Sequence, residues 1–204
     1  MPTTLRALAL NCSLKSGSEE SSTQKLLSEV VDELGSHGVE SAPIVRVADH
    51  DIKPGVTSDE GDGDAWPAIR QQILDADILV LGTPIWLGQP SSLAHRVMER
   101  MDAFLGETDD EGRMVSYGRV AMVAVVGNED SAHHVSAELY QALNDVGFTL
   151  GANAVTYWVG EAMQATDYKD LDQRPETTAR ATRMAVRNAV HLARFLTENQ
   201  YPGE

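Results

Sequence analysis

The chain has 204 residues, of which 42% are hydrophobic and 23% are charged, and its formal net charge at pH 7 is -15. This length suits a single domain spanning residues 1–204, with a core large enough to need no disulfide or metal support. The acidity excludes a general nucleic-acid or anionic-membrane binder, because those partners require clustered cations. Cys12 is the only cysteine, which excludes an intramolecular disulfide. No apolar run reaches the roughly 18 residues of a membrane span, so we expect a soluble cytoplasmic protein.

Three short apolar runs predict buried strands, namely Leu5–Asn11, Ile78–Thr83 and Val120–Gly127. None of them alternates cleanly between apolar and polar residues, as expected of parallel strands that helices cover on both faces. Two weaker runs, Ala42–Val47 and Ala152–Val159, predict the remaining strands. The sequence therefore predicts a sheet of five strands.

Helical patterns, with apolar residues every three or four positions, follow these strands. We expect the first helix to stop at Gly35 and the third to carry Pro90 in its first turn. The fourth helix is expected to start at a cap by Asp130 and to stop at Gly147. The apolar residues that mark the first four helices are Leu26, Leu27, Val30, Val31 and Leu34; Ala68, Ile69, Ile73 and Leu74; Leu93, Val97, Met101 and Leu105; and Val135, Leu139, Leu143 and Val146. The last helix is predicted to carry Ala181, Ala185, Ala189, Leu192 and Leu196 inward.

Strand and helix thus alternate five times, which is typical of a three-layer α/β domain with a mostly parallel sheet. In a doubly wound sheet of order 2-1-3-4-5, the topology reverses between the first and third strands, and ligands bind outside the carboxyl ends of those strands. Three long polar connections, Ala48–Asp64, Gly106–Tyr117 and Gly160–Pro175, carry acidic residues. Loops of this length usually cover a site, form an interface or stay mobile.

The loop after the first strand is rich in hydroxyl side chains and leads directly into the first helix. Free N–H groups and the dipole at the start of that helix favour an anion, and Gly17 lets the backbone turn tightly. A phosphate monoester would suit this loop, in which Lys15 is the only cation; a turn that merely caps the helix is the alternative. The candidate phosphate-binding residues are Ser13, Lys15, Ser21, Ser22 and Thr23.

The loop after the third strand reads T-P-I-W-L-G-Q and suits the edge of a flat heterocycle. Pro84 stiffens the turn, and Gly88 allows the backbone to approach a ligand closely. Trp86 would cover part of the ring face, unless it is a packed core aromatic. The candidate ring-binding residues are Thr83, Pro84, Ile85, Trp86, Leu87 and Gly88.

The loop after the fourth strand would bracket the far side of the same ligand through Gly127, Asn128 and Glu129. His133 and His134 follow it, but adjacent residues on a helix point in different directions, which argues against a metal pair. We therefore expect no metal site there, and we expect both histidines to face solvent or to bond to a loop.

At these loops the sequence resembles the flavodoxin-like NAD(P)H-dependent FMN reductases, and the resemblance spans essentially the whole chain. The family's G-S-x-R turn and S-T pair are matched by Cys12–Lys15 and Ser22–Thr23, with Lys15 in place of the usual Arg. The ring loop of the family, P-x-W-x-G-x-P-S, is matched by Pro84–Ser91, and its T-G-N-E-D-like loop by Gly127–Asp130. The resemblance implies a flavodoxin-like three-layer sandwich.

The resemblance also implies FMN as the cofactor, NADH or NADPH as the co-substrate, and a small electron acceptor such as a quinone or a flavin. The first loop would hold the FMN phosphate, and the other two loops would flank the isoalloxazine ring. Because FMN carries the chemistry, no side chain is expected to act as nucleophile or general base. The family resemblance further implies a homodimer or homotetramer.

Two alternatives share this fold: a flavodoxin-type electron carrier without its own NAD(P)H site, and an interaction module that binds no cofactor. A receiver domain is disfavoured because the acidic residues that it needs are replaced by Asn11–Ser13 and Thr83. A Rossmann domain is disfavoured because no G-x-G-x-x-G follows the first strand, and no strand leads into the G-D-G-D of Gly61–Asp64. Cys12 is expected to be a small buried thiol.

Overall fold

The computed structural model describes residues 4–161 and 164–203, whose strands form one seven-stranded sheet. The strands are β1 (Arg6–Asn11), β2 (Glu40–Ser41), β3 (Val45–Arg46), β4 (Ile78–Trp86), β5 (Gln89–Pro90), β6 (Val120–Gly127) and β7 (Thr149–Val159). The main path has the order β2-β1-β4-β6-β7 and is parallel throughout. Off this path, β3 pairs with β1, and β5 forms an antiparallel hairpin with β4.

Helices cover both faces of this sheet. They are α1 (Ser22–Ser36), α2 (Trp66–Leu74), α3 (Ser92–Met101), α4 (Ala132–Asp145) and α5 (Glu176–Glu198). One core joins α1 and α5 to Val80, and the other joins α2, α3 and α4 to Leu81. These neighbours in β4 face opposite cores because successive side chains of a strand point to opposite sides of the sheet. The flavodoxin-like α/β fold class predicted from the sequence is thus confirmed.

The number of strands differs from the predicted five. Ala42–Val47 does not form one strand; instead β2 pairs with Arg6 and Ala7, and β3 pairs with Leu10 and Asn11. Pro43 lies between the two pieces and has no backbone N–H to donate to a ladder. With β2 and β3 as two pieces of one edge strand and β5 set aside, the main path corresponds to the predicted order 2-1-3-4-5.

Two predicted helix starts are wrong. Pro90 does not lie in a helix, because it pairs with Ile85 in the hairpin, and Ser91 caps α3 by accepting from the N–H of Ala94 at 3.1 Å. Asp130 does not cap α4; its carboxylate accepts from the N–H of Ser131, which stands in the cap position with a φ of 87°.

Two helix ends also differ from the prediction. The first helix continues past Gly35 to Ser36, and the chain then turns at Gly38, whose φ is +75°. The third helix ends at Met101, so Leu105 lies beyond it and is half-exposed.

The connection Ala48–Asp64 is fastened by a buried ion pair between Arg100 and Asp64, with 2.7 Å between Nη2 and Oδ2. The guanidinium of Arg100 also donates to the carbonyls of Lys53 and Thr57. Burial alone would raise the pKa of Asp64, but Arg100 and three backbone N–H groups outweigh it and hold that pKa well below its usual range. This long loop is therefore tied to α3.

The parallel register brings the carboxyl ends of four strands to one edge of the sheet. Asn11 lies opposite Gly82, Pro84 lies opposite Val126, and the ends of β6 and β7 are paired. The loops that follow β1, β4, β6 and β7 consequently meet at this edge. Within the described ranges, no helix is both long and apolar enough to span a membrane.

Candidate functional site

A cleft with a volume of about 160 Å³ opens at this edge. It lies at the point where the strand order reverses between β1 and β4, as the switch-point rule predicts. The lining residues are Ser13, Leu14, Lys15, Ser21, Ser22, Thr23, Pro84, Ile85, Trp86, Val126, Gly127, Asn128, Trp158, Asp167 and Tyr168. The structure thus brings all three sequence-predicted loops together in one cleft.

The loop Ser13–Thr23, which we call the hydroxyl loop, is shaped by the amide of Asn11 at the end of β1. The Asn11 side chain accepts from the N–H of Ser13 at 3.0 Å and donates to the side chain of Gln24 at 2.8 Å. Ser21 caps α1, because its hydroxyl accepts from the N–H of Gln24 at 3.2 Å. The five predicted phosphate-binding residues of this loop all line the cleft.

Ser13 carries an unusual hydroxyl group. Its side chain is only 4% exposed and lines the cleft, yet its Oγ has no hydrogen-bond partner within the described residues. A buried hydroxyl without a partner costs free energy, so such groups are normally paired. A ligand oxygen in the cleft would supply the missing partner.

Lys15 points partly along its own loop, since its ammonium group donates to the carbonyl of Glu20 at 2.8 Å. At the start of α1, Ser22 and Thr23 stand in the first turn, where backbone N–H groups have no partner within the helix. The helix dipole adds to this arrangement, and an anion is favoured at such a position.

Thr83 does not line the cleft and instead supports the turn behind it. Its buried hydroxyl accepts from the N–H of Ser91 and donates to the carbonyl of Pro84, both at 3.0 Å. The hydroxyl of Ser91 in turn donates to the carbonyl of Cys12 at 2.5 Å, which joins the first and second loops. Cys12 is fully buried as predicted, and this burial raises the pKa of its thiol.

The β4–β5 hairpin projects at the mouth of the cleft. Its two central residues, Leu87 and Gly88, have φ values of 52° and 76°, as a tight two-residue turn requires. Neither residue lines the cleft, and the side chain of Leu87 is 93% exposed. Trp86 does line the cleft and is 55% exposed, so it is not a packed core aromatic.

The loop after β6 packs closely against this hairpin. A Cβ on Gly127 would lie 3.0 Å from the side chain of Ile85, so a larger residue at that position would require this side chain to shift. Glu129 does not line the cleft; its carboxylate accepts from the N–H of Leu87 at 3.0 Å and thereby holds the hairpin. Asn128 donates to the carboxylate of Asp167 at 3.1 Å across the cleft wall.

Both histidines at the start of α4 are engaged with neighbouring side chains. The ring of His133 meets the ring of Tyr157 edge-on, with 5.4 Å between centroids. The Nε2 of His134 lies 3.0 Å from the side-chain amide of Gln89 in the hairpin. Among residues 4–161 and 164–203, no group of three or more His, Cys, Asp or Glu side chains is arranged to hold a metal ion.

Comparison with known proteins gives the family. Residues 5–164 match the family described as NADPH-dependent FMN reductase. The chain belongs to this family. The prediction made from the loop motifs is thereby confirmed, and a flavin-related oxidoreductase function and FMN binding fit this membership.

Two relatives of this FMN reductase family member are informative. It is 35% identical to the 8-demethyl-8-aminoriboflavin-5'-phosphate synthase of Streptomyces davaonensis, over 97% of this chain and 80% of that protein. It is 37% identical to the divalent metal cation transporter MntH of Mycobacterium bovis, over 94% of this chain. The match covers only 29% of that longer protein, so the chain corresponds to a minor part of it.

Solved structures support the same fold. The crystal structure of RosB with a bound intermediate, 8-demethyl-8-formylriboflavin-5'-phosphate, superposes with a TM-score of 0.89 at 35% identity, over 97% of this chain and 82% of that one. The apo form of an NADH:FMN oxidoreductase superposes with a TM-score of 0.64 at 16% identity, over 93% and 89% of the two chains. An archaeal flavodoxin gives a TM-score of 0.57 at 8% identity, over 92% and 99%. The last two likenesses concern the fold alone.

One wall of the cleft is formed by residues that the family's loop motifs do not include. Trp158, at the end of β7, and Asp167 and Tyr168, in the connection Gly160–Pro175, were not predicted from the sequence. Residues 162 and 163 of that connection lie outside the described residues. Two signals were available: β7 is parallel to β6 and also ends at this edge, and the connection that follows it is long enough to cover a site. Leu14 and Val126 are further lining residues that the motifs did not single out.

Tyr168 is the most deeply placed residue of this wall. Its ring packs against Trp158 at 5.4 Å between centroids, and its hydroxyl donates to the carboxylate of Glu29 in α1 at 2.6 Å. Burial, together with Glu29, raises the pKa of Tyr168 above its ordinary value. Tyr168 is therefore a neutral, fixed side chain at working pH.

Proposed function

We propose that this chain binds FMN in the cleft and uses it to carry electrons from NADH or NADPH to a small acceptor, such as a quinone or a free flavin. The observation that carries the proposal is the meeting of the hydroxyl loop with the Pro84–Trp86 segment in one cleft at the switch point of the sheet. Membership of the FMN reductase family supports the same cofactor.

The residues that line the cleft fit the two ends of an FMN molecule. The unpartnered hydroxyl of Ser13 and the first-turn N–H groups of Ser22 and Thr23 suit phosphate oxygens. The indole rings of Trp86 and Trp158 provide flat apolar surface, which suits the isoalloxazine ring. The fit rests on chemistry at both ends, because neither a phosphate loop nor an aromatic wall alone would select a flavin phosphate.

The redox chemistry, which is hydride uptake from a nicotinamide and electron transfer to an acceptor, is supplied by FMN when it is bound. The described residues of the chain would bind and orient FMN and exclude water from it. Lys15, Asp167 and Tyr168 are the lining side chains that can carry a charge. Tyr168 is kept protonated, and Asp167 is engaged by Asn128, so neither is placed as a general base.

A second candidate function is chemical modification of a flavin phosphate, in which the flavin is the substrate. The observation in its favour is the 35% identity with the aminoriboflavin-phosphate synthase over 97% of this chain. Both candidates use the same cleft. They differ in whether the flavin leaves the cleft with its mass unchanged.

We further propose that the chain works as a homodimer or homotetramer. Leu14, Trp86 and Leu87 expose apolar surface near the mouth of the cleft, which a second copy would cover. Light scattering on the purified protein tests this proposal: a mass of twice or four times 22.1 kDa supports it. A monomer at all concentrations contradicts it.

The function is tested with purified protein in two steps. Absorption and mass spectrometry of the released ligand should give flavin bands and the mass of FMN. NADH and NADPH oxidation is then measured with quinones and free flavin as acceptors, and steady turnover is expected without any partner protein. Turnover that requires an added reductase would indicate a flavodoxin-type carrier. A flavin of altered mass would indicate the modifying function, and the lack of any bound flavin would indicate the cofactor-free module.

A further inference from the structure

Residues 15–19 of the hydroxyl loop are held by the segment Arg46–Asp49, which starts at the end of the neighbouring edge strand β3. Arg46, the last residue of β3, donates from Nη1 to the carbonyl of Lys15 at 3.2 Å and to the carbonyl of Glu19 at 2.9 Å. Three positions after Arg46, the carboxylate of Asp49 accepts from the N–H of Gly17 at 2.6 Å. Two side chains from one short segment thus fasten three alternate residues of the loop.

Neither Arg46 nor Asp49 lines the cleft, so neither is placed to contact a ligand there. Their effect is on the backbone of the loop. The two carbonyl oxygens that accept from Arg46 are drawn towards its guanidinium, which keeps their negative ends away from an anion in the cleft. The bond from Asp49 fixes the turn at Gly17, whose φ of +58° lies in the left-handed region.

We propose that Arg46 and Asp49 are positioning residues that preset the hydroxyl loop for a phosphate monoester, and that they thereby set the preference of this chain for FMN over riboflavin. The inference rests on the proposed FMN-binding function and assigns these two residues to recognition of the phosphate end of FMN. A loop that is ordered before binding loses less conformational entropy when the ligand arrives, so its ligand binds more tightly.

The preference for FMN over riboflavin separates this role from general support of the fold. The two ligands share the ring and the ribityl chain, and they differ only in the phosphate. A variant that disturbs the whole cleft lowers the affinity for both ligands alike. A variant that disturbs only the hydroxyl loop lowers the affinity for FMN and leaves the affinity for riboflavin unchanged.

The experiment is a fluorescence titration of the flavin-stripped protein with FMN and, separately, with riboflavin. The main variant is Arg46→Met, which removes both donated bonds and keeps an unbranched side chain. Its matched control is Arg187→Met, at an exposed position of α5 where the described residues form no hydrogen bond or ion pair with the arginine. The two variants change the net charge equally.

A second pair of variants tests the same idea at Asp49, in case Arg46→Met does not fold. Asp49→Asn keeps an oxygen that can accept from the N–H of Gly17, whereas Asp49→Ala removes it. Both changes remove the same negative charge. We expect Asp49→Asn to keep the FMN preference and Asp49→Ala to lose part of it.

For Arg46→Met we expect FMN affinity to fall by roughly tenfold or more, because the loosened loop must then lose conformational entropy when the phosphate binds. Riboflavin affinity should stay within a factor of about two, and Arg187→Met should change neither ligand by more than that. The lost preference should persist in about 1 M salt, where the Debye length of about 3 Å suppresses through-space attraction of the phosphate.

Three outcomes would overturn the inference. They are an equal loss for both ligands, an unchanged FMN preference in both Arg46→Met and Asp49→Ala, and convergence of wild type and Arg46→Met at high salt. The last outcome would make Arg46 a distant charge rather than a positioning residue. Failure of the proposed function looks different, because the wild-type protein would then bind neither flavin.

Discussion

At the scale of single residues, the most informative atom is the Oγ of Ser13. Buried polar atoms are normally paired, and this one has no partner among the described residues while it lines the cleft. Such an atom lowers the free energy of unfolding of the ligand-free protein. A ligand oxygen would pair with it, so a change at Ser13 should affect both ligand binding and stability.

Replacement of Ser13 by alanine is expected to weaken FMN binding by about fivefold, which corresponds to roughly 1 kcal/mol for one lost hydrogen bond. The free energy of unfolding of the ligand-free protein should not fall, because a buried hydroxyl without a partner is removed. Ser41→Ala is the matched control, since its Oγ is also buried and unpartnered but does not line the cleft. FMN titration and urea denaturation measure the two quantities. Equal effects of both variants on FMN affinity would contradict this role of Ser13.

At the scale of elements, the long connection Ala48–Asp64 depends on the ion pair between Arg100 and Asp64. Both side chains are fully buried, so removal of one partner leaves an uncompensated charge in the interior. We expect Arg100→Ala to lower the free energy of unfolding by about 3–5 kcal/mol. Arg113→Ala, which breaks the partly exposed pairs with Asp109 and Glu111, should lower it by much less, because solvent screens exposed ion pairs. Comparable losses in urea denaturation would contradict this assignment.

The same ion pair predicts a pH dependence. The pKa of Asp64 is lowered in the folded protein, so its stabilising contribution is fully present above its unfolded pKa of about 3.9 and is lost as the pH falls through the lower folded value. The difference in stability between wild type and Arg100→Ala should therefore shrink below about pH 4. Urea denaturation at several pH values measures it. A difference that is constant across this window would show that Asp64 is not held ionised by Arg100.

The elements also show what the sequence can and cannot predict. Strands β1, β4 and β6 were predictable because they are buried on both faces and hence apolar along their length. The ends of elements were less predictable: Pro90 suits either a first helical turn or a hairpin, and only its pairing with Ile85 decides between them. The predicted loops converge because parallel strands end at one edge.

The wall formed by Asp167 and Tyr168 could not be predicted in the same way, because its position depends on tertiary contacts. Lys25 of α1 donates to the carbonyls of Tyr168, Lys169 and Leu171 at 3.0–3.3 Å, and this bonding places the segment beside the cleft. No local pattern in the sequence pairs Lys25 with residues more than 140 positions away. Similarly, the hydrogen bonds from Arg46 to the hydroxyl loop depend on the pairing of β3 with β1.

At the scale of the whole molecule, the chain is an FMN reductase family member whose cleft is assembled from four strand ends and closed by a segment docked on α1. Among the described residues that line the cleft Lys15 is the only cation, so hydroxyl groups, backbone N–H groups and a helix start carry most of the expected phosphate recognition. The cytoplasm remains our prediction for its location, and cell fractionation tests it.

The central claim is that this cleft holds FMN as a redox cofactor. The most direct measurement is an anaerobic spectrophotometric titration of the FMN-loaded protein with NADH and with NADPH, followed by admission of a quinone. The proposed function predicts that at least one nicotinamide bleaches the flavin absorbance, that the quinone restores it, and that the flavin recovered afterwards has the mass of FMN. A flavin that neither nicotinamide bleaches, or that is recovered with an altered mass, would contradict the claim.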